Sequence, residues 1–378
     1  MPGPLRVLLA RHPALRWLLP IAVLGAVAAV TASDMTANAS PSDLPDRSAA
    51  QLLSDLEHSH VGGFSGTVVQ KSSLGLPELP AGLAASSTAT GATLMSLLTG
   101  THTARVWYGG PTKQRVAVLD ALGETDIFRD GTDVWAWNSA AKTADHSTLP
   151  APAAADSATG AVATGAVATL TPDGLAAQAL AAIDPTTLIT TADARVVAGR
   201  SAYELVLTPR DTQSRIGSIR VAIDGSEKVP LAVQVYARQS SSRAQPGATP
   251  AIDVSFTAIT FGPQDDSNFN WSPPRSAKVG QDGRLSTGAG QAINAAATPT
   301  RPVTFGTGWT AVLATHAPSL ASGSTGRLLS TLTPVSGAWG SGRLLDSKLL
   351  SVLVTDDGRV LAGAVAPSAL YTAAAAYR

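Results

Sequence analysis

Ile219-Arg220-Val221-Ala222-Ile223-Asp224-Gly225 decides the fold. Its apolar residues Ile219, Val221 and Ile223 recur at every second position, the period of a strand with one wet face and one apolar face. Asp224-Gly225 then begins a turn. The same alternation stands on both sides, in Tyr203-Glu204-Leu205-Val206-Leu207, Leu231-Ala232-Val233-Gln234-Val235 and Ile252-Asp253-Val254-Ser255-Phe256. Further upstream, Arg105-Val106-Trp107-Tyr108, Gln114 to Leu119, Thr125 to Arg129, Val134-Trp135-Ala136-Trp137 and Thr143 to Thr148 read as strands. Asp130-Gly131 is a two-residue hairpin signal between two of them. From about Arg105 to Pro274 the chain therefore reads as one long antiparallel meander, closed by Phe269-Asn270-Trp271-Ser272-Pro273-Pro274.

Composition narrows what such a sheet can do. The chain has 378 residues, 44% hydrophobic and 14% charged, enough for a large core. Its 27 basic and 27 acidic residues cancel, so it lacks the basic stripe that nucleic-acid binding requires. Cysteine is absent, which excludes thiol catalysis, disulfides and lipobox lipidation.

At the N-terminus, Arg6, Arg11 and Arg16 precede the apolar run Trp17 to Val30, followed by Thr31-Ala32-Ser33. A basic flank, an apolar stretch and small residues make residues 1–33 an export segment, either a cleaved signal peptide or an uncleaved anchor. Both place the rest of the chain outside the cytoplasm, with the positive flank inside. Residues 34–44 read as a tether. A helix follows Pro45, with Ala49, Leu52, Leu53 and Leu56 on one stripe, and then the strand Phe64 to Gln70. Thr171-Pro172-Asp173-Gly174 opens a second helix reaching Ile183. The first domain spans 45–280. A Gly-, Ala-, Ser- and Thr-rich stretch over 275–300 reads as a linker, with the domain boundary at 281–300. Residues 301–378 form a small α+β region, with strands at Thr310 to Leu313, Leu349 to Val354 and Val360 to Val365, and a helix from Pro367.

Catalytic patterns fail one by one. His58-Ser59-His60 sits at a helix end, where histidine suits the dipole better than it suits a metal. Ser139-Ala140-Ala141-Lys142 matches Ser-x-x-Lys but lies in a hairpin turn without the partner motifs. Gly63-Phe64-Ser65-Gly66-Thr67 misses the nucleophile-elbow spacing, and no phosphate loop or dinucleotide fingerprint occurs. The Asp-Gly pairs at 130, 224 and 357 are turns without the alternating acids of a calcium loop. No catalytic residue, metal or cofactor is assigned, and the protein reads as non-enzymatic.

What remains is apolar surface. About eight or nine strands present an apolar face, each buried side chain contributing roughly 1.5–3 kcal/mol, and only two helices are at hand to cover it. Either loops and the C-terminal region complete the core, or the face lines an apolar groove. Candidates for lining it are Val68, Trp107, Ile127, Trp135, Trp137, Leu205, Val221, Val233 and Phe256. Trp135 and Trp137 project from one strand face. The tryptophans either pack a core or face a ligand.

The ordered set of an N-terminal helix into Phe64-Ser65-Gly66-Thr67-Val68, the pair Asp126-Ile127-Phe128 and Val134-Trp135-Ala136-Trp137, Val197-Ala198-Gly199-Arg200-Ser201-Ala202-Tyr203-Glu204-Leu205, Ile223-Asp224 with Pro230-Leu231, and Phe269 to Pro274 resembles the LolA/RseB-like superfamily. The likeness is to its exported actinobacterial members. It covers roughly residues 45–280, with Arg275 where the family usually has Gly. Thr355-Asp356-Asp357-Gly358-Arg359-Val360-Leu361 is similar to a tail of those members. The resemblance implies a mainly β, α+β fold: a curved antiparallel half-barrel with a helical lid around an apolar cavity for acyl chains. In the carrier branch of the family the cargo is a lipoprotein. In the regulator branch the domain controls an anti-sigma factor, which would make a membrane protein the partner.

Overall fold

A computed structural model describes residues 44–57, 59, 61–75, 99–120, 123–148, 186–238, 248–280, 302–317, 329 and 332–377. The export segment, most of the tether, the helix expected from Thr171, the linker 281–300, His58 and His60 lie outside the described residues.

The protein is mainly β, built on a large curved open sheet. Its strands are β1 (Phe64–Ser73), β2 (Thr99–Tyr108), β3 (Lys113–Asp120), β4 (Gly123–Asp130), β5 (Asp133–Asn138), β6 (Thr143–Thr148), β7 (Thr187–Val197), β8 (Arg200–Pro209), β9 (Ile216–Asp224), β10 (Pro230–Ala237), β11 (Ile252–Phe261) and β12 (Lys278–Gly280). They run in the order β12-β6-β5-β4-β3-β2-β1-β11-β10-β9-β8-β7. The expected single meander is therefore two. β2–β6 step away from one side of β1, and β7–β11 return so that β11 pairs with its other side. Alternation and tight turns specify each hairpin. They do not specify what the long connection between Thr148 and Thr187 does, and there the two meanders part. β7 and β12 are the ends of the sheet and do not close it. Within the expected linker stretch, Lys278–Gly280 pair in parallel with β6, so the sheet extends to residue 280.

α1 (Ala49–Glu57) starts at a reciprocal cap. The Gln51 N–H donates to Ser48 Oγ at 3.3 Å, and the Ser48 N–H donates to Gln51 Oε1 at 2.9 Å. Leu52 and Leu56 are buried on Tyr203, Leu205, Leu207, Val221 and Ile223, and Leu44 packs beside them. Truncating such a fully buried leucine costs about 2–5 kcal/mol. Leu52→Ala is therefore expected to detach α1 and lower the urea midpoint, whereas Ala50→Ser, on the exposed side of the helix, should leave the midpoint unchanged.

The C-terminal region holds β13 (Val303–Phe305), β14 (Val312–His316), β15 (Thr333–Gly337), β16 (Gly340–Asp346), β17 (Ser351–Thr355), β18 (Arg359–Gly363) and α2 (Pro367–Ala376), with sheet order β13-β14-β18-β17-β16-β15. α2 buries Leu370, Ala373 and Ala374 in a core with Val312, Leu353 and Leu361. Arg359 donates to the carbonyls of Ala374 (2.6 Å) and Tyr377 (2.8 Å), closing the C-terminal end of α2 with positive charge.

Candidate functional site: two faces of the large sheet

Register assigns each candidate residue to a face. On one face, Leu205, Val221, Val233 and Val254 are opposed in turn across β8, β9, β10 and β11. Val68 faces Phe256, and Val106, Val116 and Ile127 oppose one another across β2, β3 and β4. A bulge where β11 crosses Thr67/Val68 admits one extra residue. The bulge lets Ile259 and Phe261 share this face with Ile252, Val254 and Phe256. Gly66 makes room for the Phe256 ring: a Cβ at Gly66 would stand 2.8 Å from it. Of the nine expected lining residues, Val68, Ile127, Leu205, Val221, Val233 and Phe256 come together here. α1 lies on the β8–β9 part of this face. Val118, Ile127, Val233, Val254, Ile259 and Phe261 are only half-buried.

Trp107, Trp135 and Trp137 are on the opposite face. Trp107, Arg115, Phe128, Trp135 and His146 form one rung of directly opposed residues across β2–β6. The Arg115 guanidinium lies 4.6 Å from the Trp107 ring centre and 4.7 Å from that of Phe128, a cation–π sandwich. Trp135 stacks on His146 at 4.4 Å, and His146 Nε2 is 2.9 Å from Asp133 Oδ1.

The segment after β11 crosses this rung like a strap. Asp265 caps a short turn over Asp266–Asn268 by accepting the Ser267 N–H at 2.8 Å, and Lys113 holds Asp266 at 2.6 Å. Phe269 then buries against Gly109, where a Cβ would come within 2.9 Å of its ring. Trp271 stacks on Phe128 (5.0 Å) and meets Trp135 and Trp137 at 5.6 and 5.7 Å. Trp135 and Trp137 thus partner the strap through Trp271, while Trp107 packs on the Arg115 guanidinium. Trp271→Ala is expected to cost about 2 kcal/mol, below the fully buried range because the ring is half-exposed. It should also raise binding of a hydrophobic dye, and an unchanged melting temperature would refute the clamp.

Beside this rung, Arg115 Nη2 contacts Asp126 Oδ1 at 2.9 Å and Glu124 at 3.8 Å. Burial pushes the Asp126 carboxyl up to about 6, with the hydrogen bond to Glu124 adding to the rise and Arg115 opposing it. Between the unfolded value of about 3.9 and the folded value, the folded chain holds the extra proton, so this site loses stability as pH rises through that window. Asp126→Asn removes the penalty. Its stability relative to the parent chain is expected to improve by about 1–2 kcal/mol between about pH 4 and pH 7. A pH-independent difference in urea titrations would contradict this origin.

On the same face over β7–β11, buried Glu204 takes Arg220 at 2.9 Å and Arg195 at 3.5 Å. Gln234 links Arg195 (2.8 Å) to Asp253 (2.7 Å). The Ser-x-x-Lys residues are a turn: Ser139 Oγ accepts the Glu124 N–H at 2.7 Å, and Lys142 has φ 54°. Among the described residues no group of three or more His, Cys, Asp or Glu is placed to hold a metal ion. Sequence reasoning missed Arg115, Phe128 and the strap contact of Trp271. Only register brings them together, and the alternation in Asp126-Ile127-Phe128 was the available hint.

No family model and no curated protein matches the chain. Among solved structures it is similar to the complex of MucA and MucB from Pseudomonas aeruginosa at 18% identity and a TM-score of 0.41, covering 86% of this chain and 96% of that one. It is also similar to a LolA superfamily protein from Nitrosomonas europaea at 10% identity and a TM-score of 0.22, covering 60% and 99%. A DUF1329 family protein from Desulfovibrio piger follows at 10% identity and 0.25, covering 59% and 95%.

Proposed function

We propose that the protein binds acyl chains of a lipid or lipoprotein, without catalysis, on the apolar face of its large sheet, at the outer side of the cytoplasmic membrane. One observation carries the reading: on a sheet whose two end strands do not pair, a continuous apolar face retains half-buried Val118, Ile127, Val233, Val254, Ile259 and Phe261. An open trough of this kind gains from covering apolar area with a ligand at about 25 cal/mol per Å². The basic, apolar and small-residue N-terminal segment supports the location. Ser139 and Lys142, which match Ser-x-x-Lys, are committed to a turn, in keeping with binding without catalysis.

Native mass spectrometry of the purified chain with organic extraction tests this. Lipid-sized adducts that extraction releases are expected. A chain with neither bound lipid nor uptake of acyl probes would contradict the trough. A second reading, a regulator holding a membrane-protein partner, is favoured by the half-exposed rung of Trp107, Arg115, Trp135 and His146. It gains if the chain is dry yet captures such a partner.

A further inference from the structure

The apolar face ends in a plug that another part of the chain supplies. Trp309, in the short helical turn Gly308–Thr310 before β14, and Leu349, at the corner between β16 and β17, pack with Ile216, Val235 and Ile252 of the large sheet. Trp309 is 3% exposed and Leu349 is fully buried.

The plug reaches the trough directly. Ile219 contacts both the plug cluster and the cluster beneath α1, and Val254 contacts both the plug cluster and the core around Phe64. Val233 lies one rung of the sheet beyond Val235, a step of about 7 Å.

The plug is also held in place. The Trp309 indole N–H donates to Thr187 Oγ1 at 2.9 Å, tying the ring to the end strand β7. Next to Leu349, the Lys348 N–H donates to the Leu74 carbonyl at 2.9 Å. Arg215 pairs with Asp346 at 2.7 Å, and its N–H donates to the Ala364 carbonyl at 2.7 Å. A bulky apolar pair fixed by directional bonds at one end of an apolar face has the geometry of a stop.

We infer that Trp309 and Leu349 form the blind end of the trough and set the length of acyl chain it accepts. The inference rests on the acyl-binding reading above. Shortening either side chain extends the trough towards the C-terminal sheet. A longer chain then fills space that the wild type closes, and a short chain loses contact with the end wall. The two residues determine specificity and carry no chemistry.

The test uses the full-length chain and a homologous series of photoreactive saturated acyl probes, read as cross-linked fraction against probe length. Trp309→Ala is expected to move the optimum to probes longer by about four to six carbons, the reach of one sheet rung. Trp309→Leu and Leu349→Ala should move it part of the way, and they keep the test decisive where Trp309→Ala fails to fold. Cooperative unfolding of each variant is checked by circular dichroism. Folded variants whose optimum matches the wild type overturn the stop while leaving acyl binding intact. A wild type that cross-links to no probe of any length overturns the trough, and the stop with it.

Discussion

Asp224→Ala is expected to lower the unfolding free energy by about 2–4 kcal/mol. Asp224 is buried at the end of β9, and its carboxylate is satisfied from several directions. Arg200 forks onto it through Nε and through Nη2, the latter at 3.0 Å, while the N–H groups of Glu227 and Ser226 donate to Oδ1 at 2.7 and 2.9 Å. Burial alone would raise this carboxyl, but the Arg200 and backbone hydrogen bonds outweigh it and hold it below the usual carboxylate range. Removing the carboxylate leaves two turn N–H groups without their acceptor. It also leaves the Arg200 guanidinium, lodged 4.7 Å over the Phe261 ring, without its anion. Arg200 remains partly hydrated, so the cost stays below the full penalty for a buried unpaired charge. Because the folded value is depressed, the contribution is present at neutral pH and is lost as pH falls through the ordinary carboxylate range and below. Urea titration of the parent and Asp224→Ala at neutral pH reads the difference. A loss below about 0.5 kcal/mol would show that the Arg200–Asp224 fork does not hold the β9–β10 corner.

Val233→Asp is expected to weaken acyl binding about a hundred-fold or more. Val233 is half-buried midway along the rung Leu205–Val221–Val233–Val254. A carboxylate there is hydrated in the free protein and must be desolvated or protonated under a bound acyl chain. The same half-exposure limits the cost to folding, so the variant separates binding from stability. Glu227→Gln, at an exposed turn position, should leave binding unchanged. If Val233→Asp retains parental acyl binding while folded, this face does not carry the ligand.

Much of the sheet was legible because period-2 alternation is a local property. Ile219–Ile223 and Tyr203–Leu207 lie inside β9 and β8, and Asp130-Gly131 marks the observed hairpin. β7 went unread. As an end strand it leaves Leu188 and Thr190 to Asp193 exposed, so no apolar alternation is written into it. The Ser48–Gln51 cap is written in the chain as Ser-x-x-Gln, so the helix is capped three residues after Pro45. Face assignment was the larger loss. Trp135 and Trp137 were correctly placed on one side of their strand. That this side is the reverse of the one bearing Val221 depends on pairing across the whole sheet and on the bulge opposite Val68, neither of which a single sequence encodes locally. The plug was invisible for the same reason. Trp309 and Thr187 are far apart in sequence and meet only because the C-terminal sheet docks at that end.

The central claim is that acyl chains lie on the Val233 face and not on its reverse. The chain contains no cysteine, so single labels can be placed without background. Val233→Cys and Thr260→Cys put one fluorophore on each face, Thr260 being exposed on the side opposite Val254 and Ile259. A nitroxide-bearing acyl chain is then titrated into each labelled protein. Saturable quenching at 233 with none at 260 is the expected result. Equal quenching at both positions, or quenching at 260 alone, would contradict the assignment of the apolar face as the binding surface.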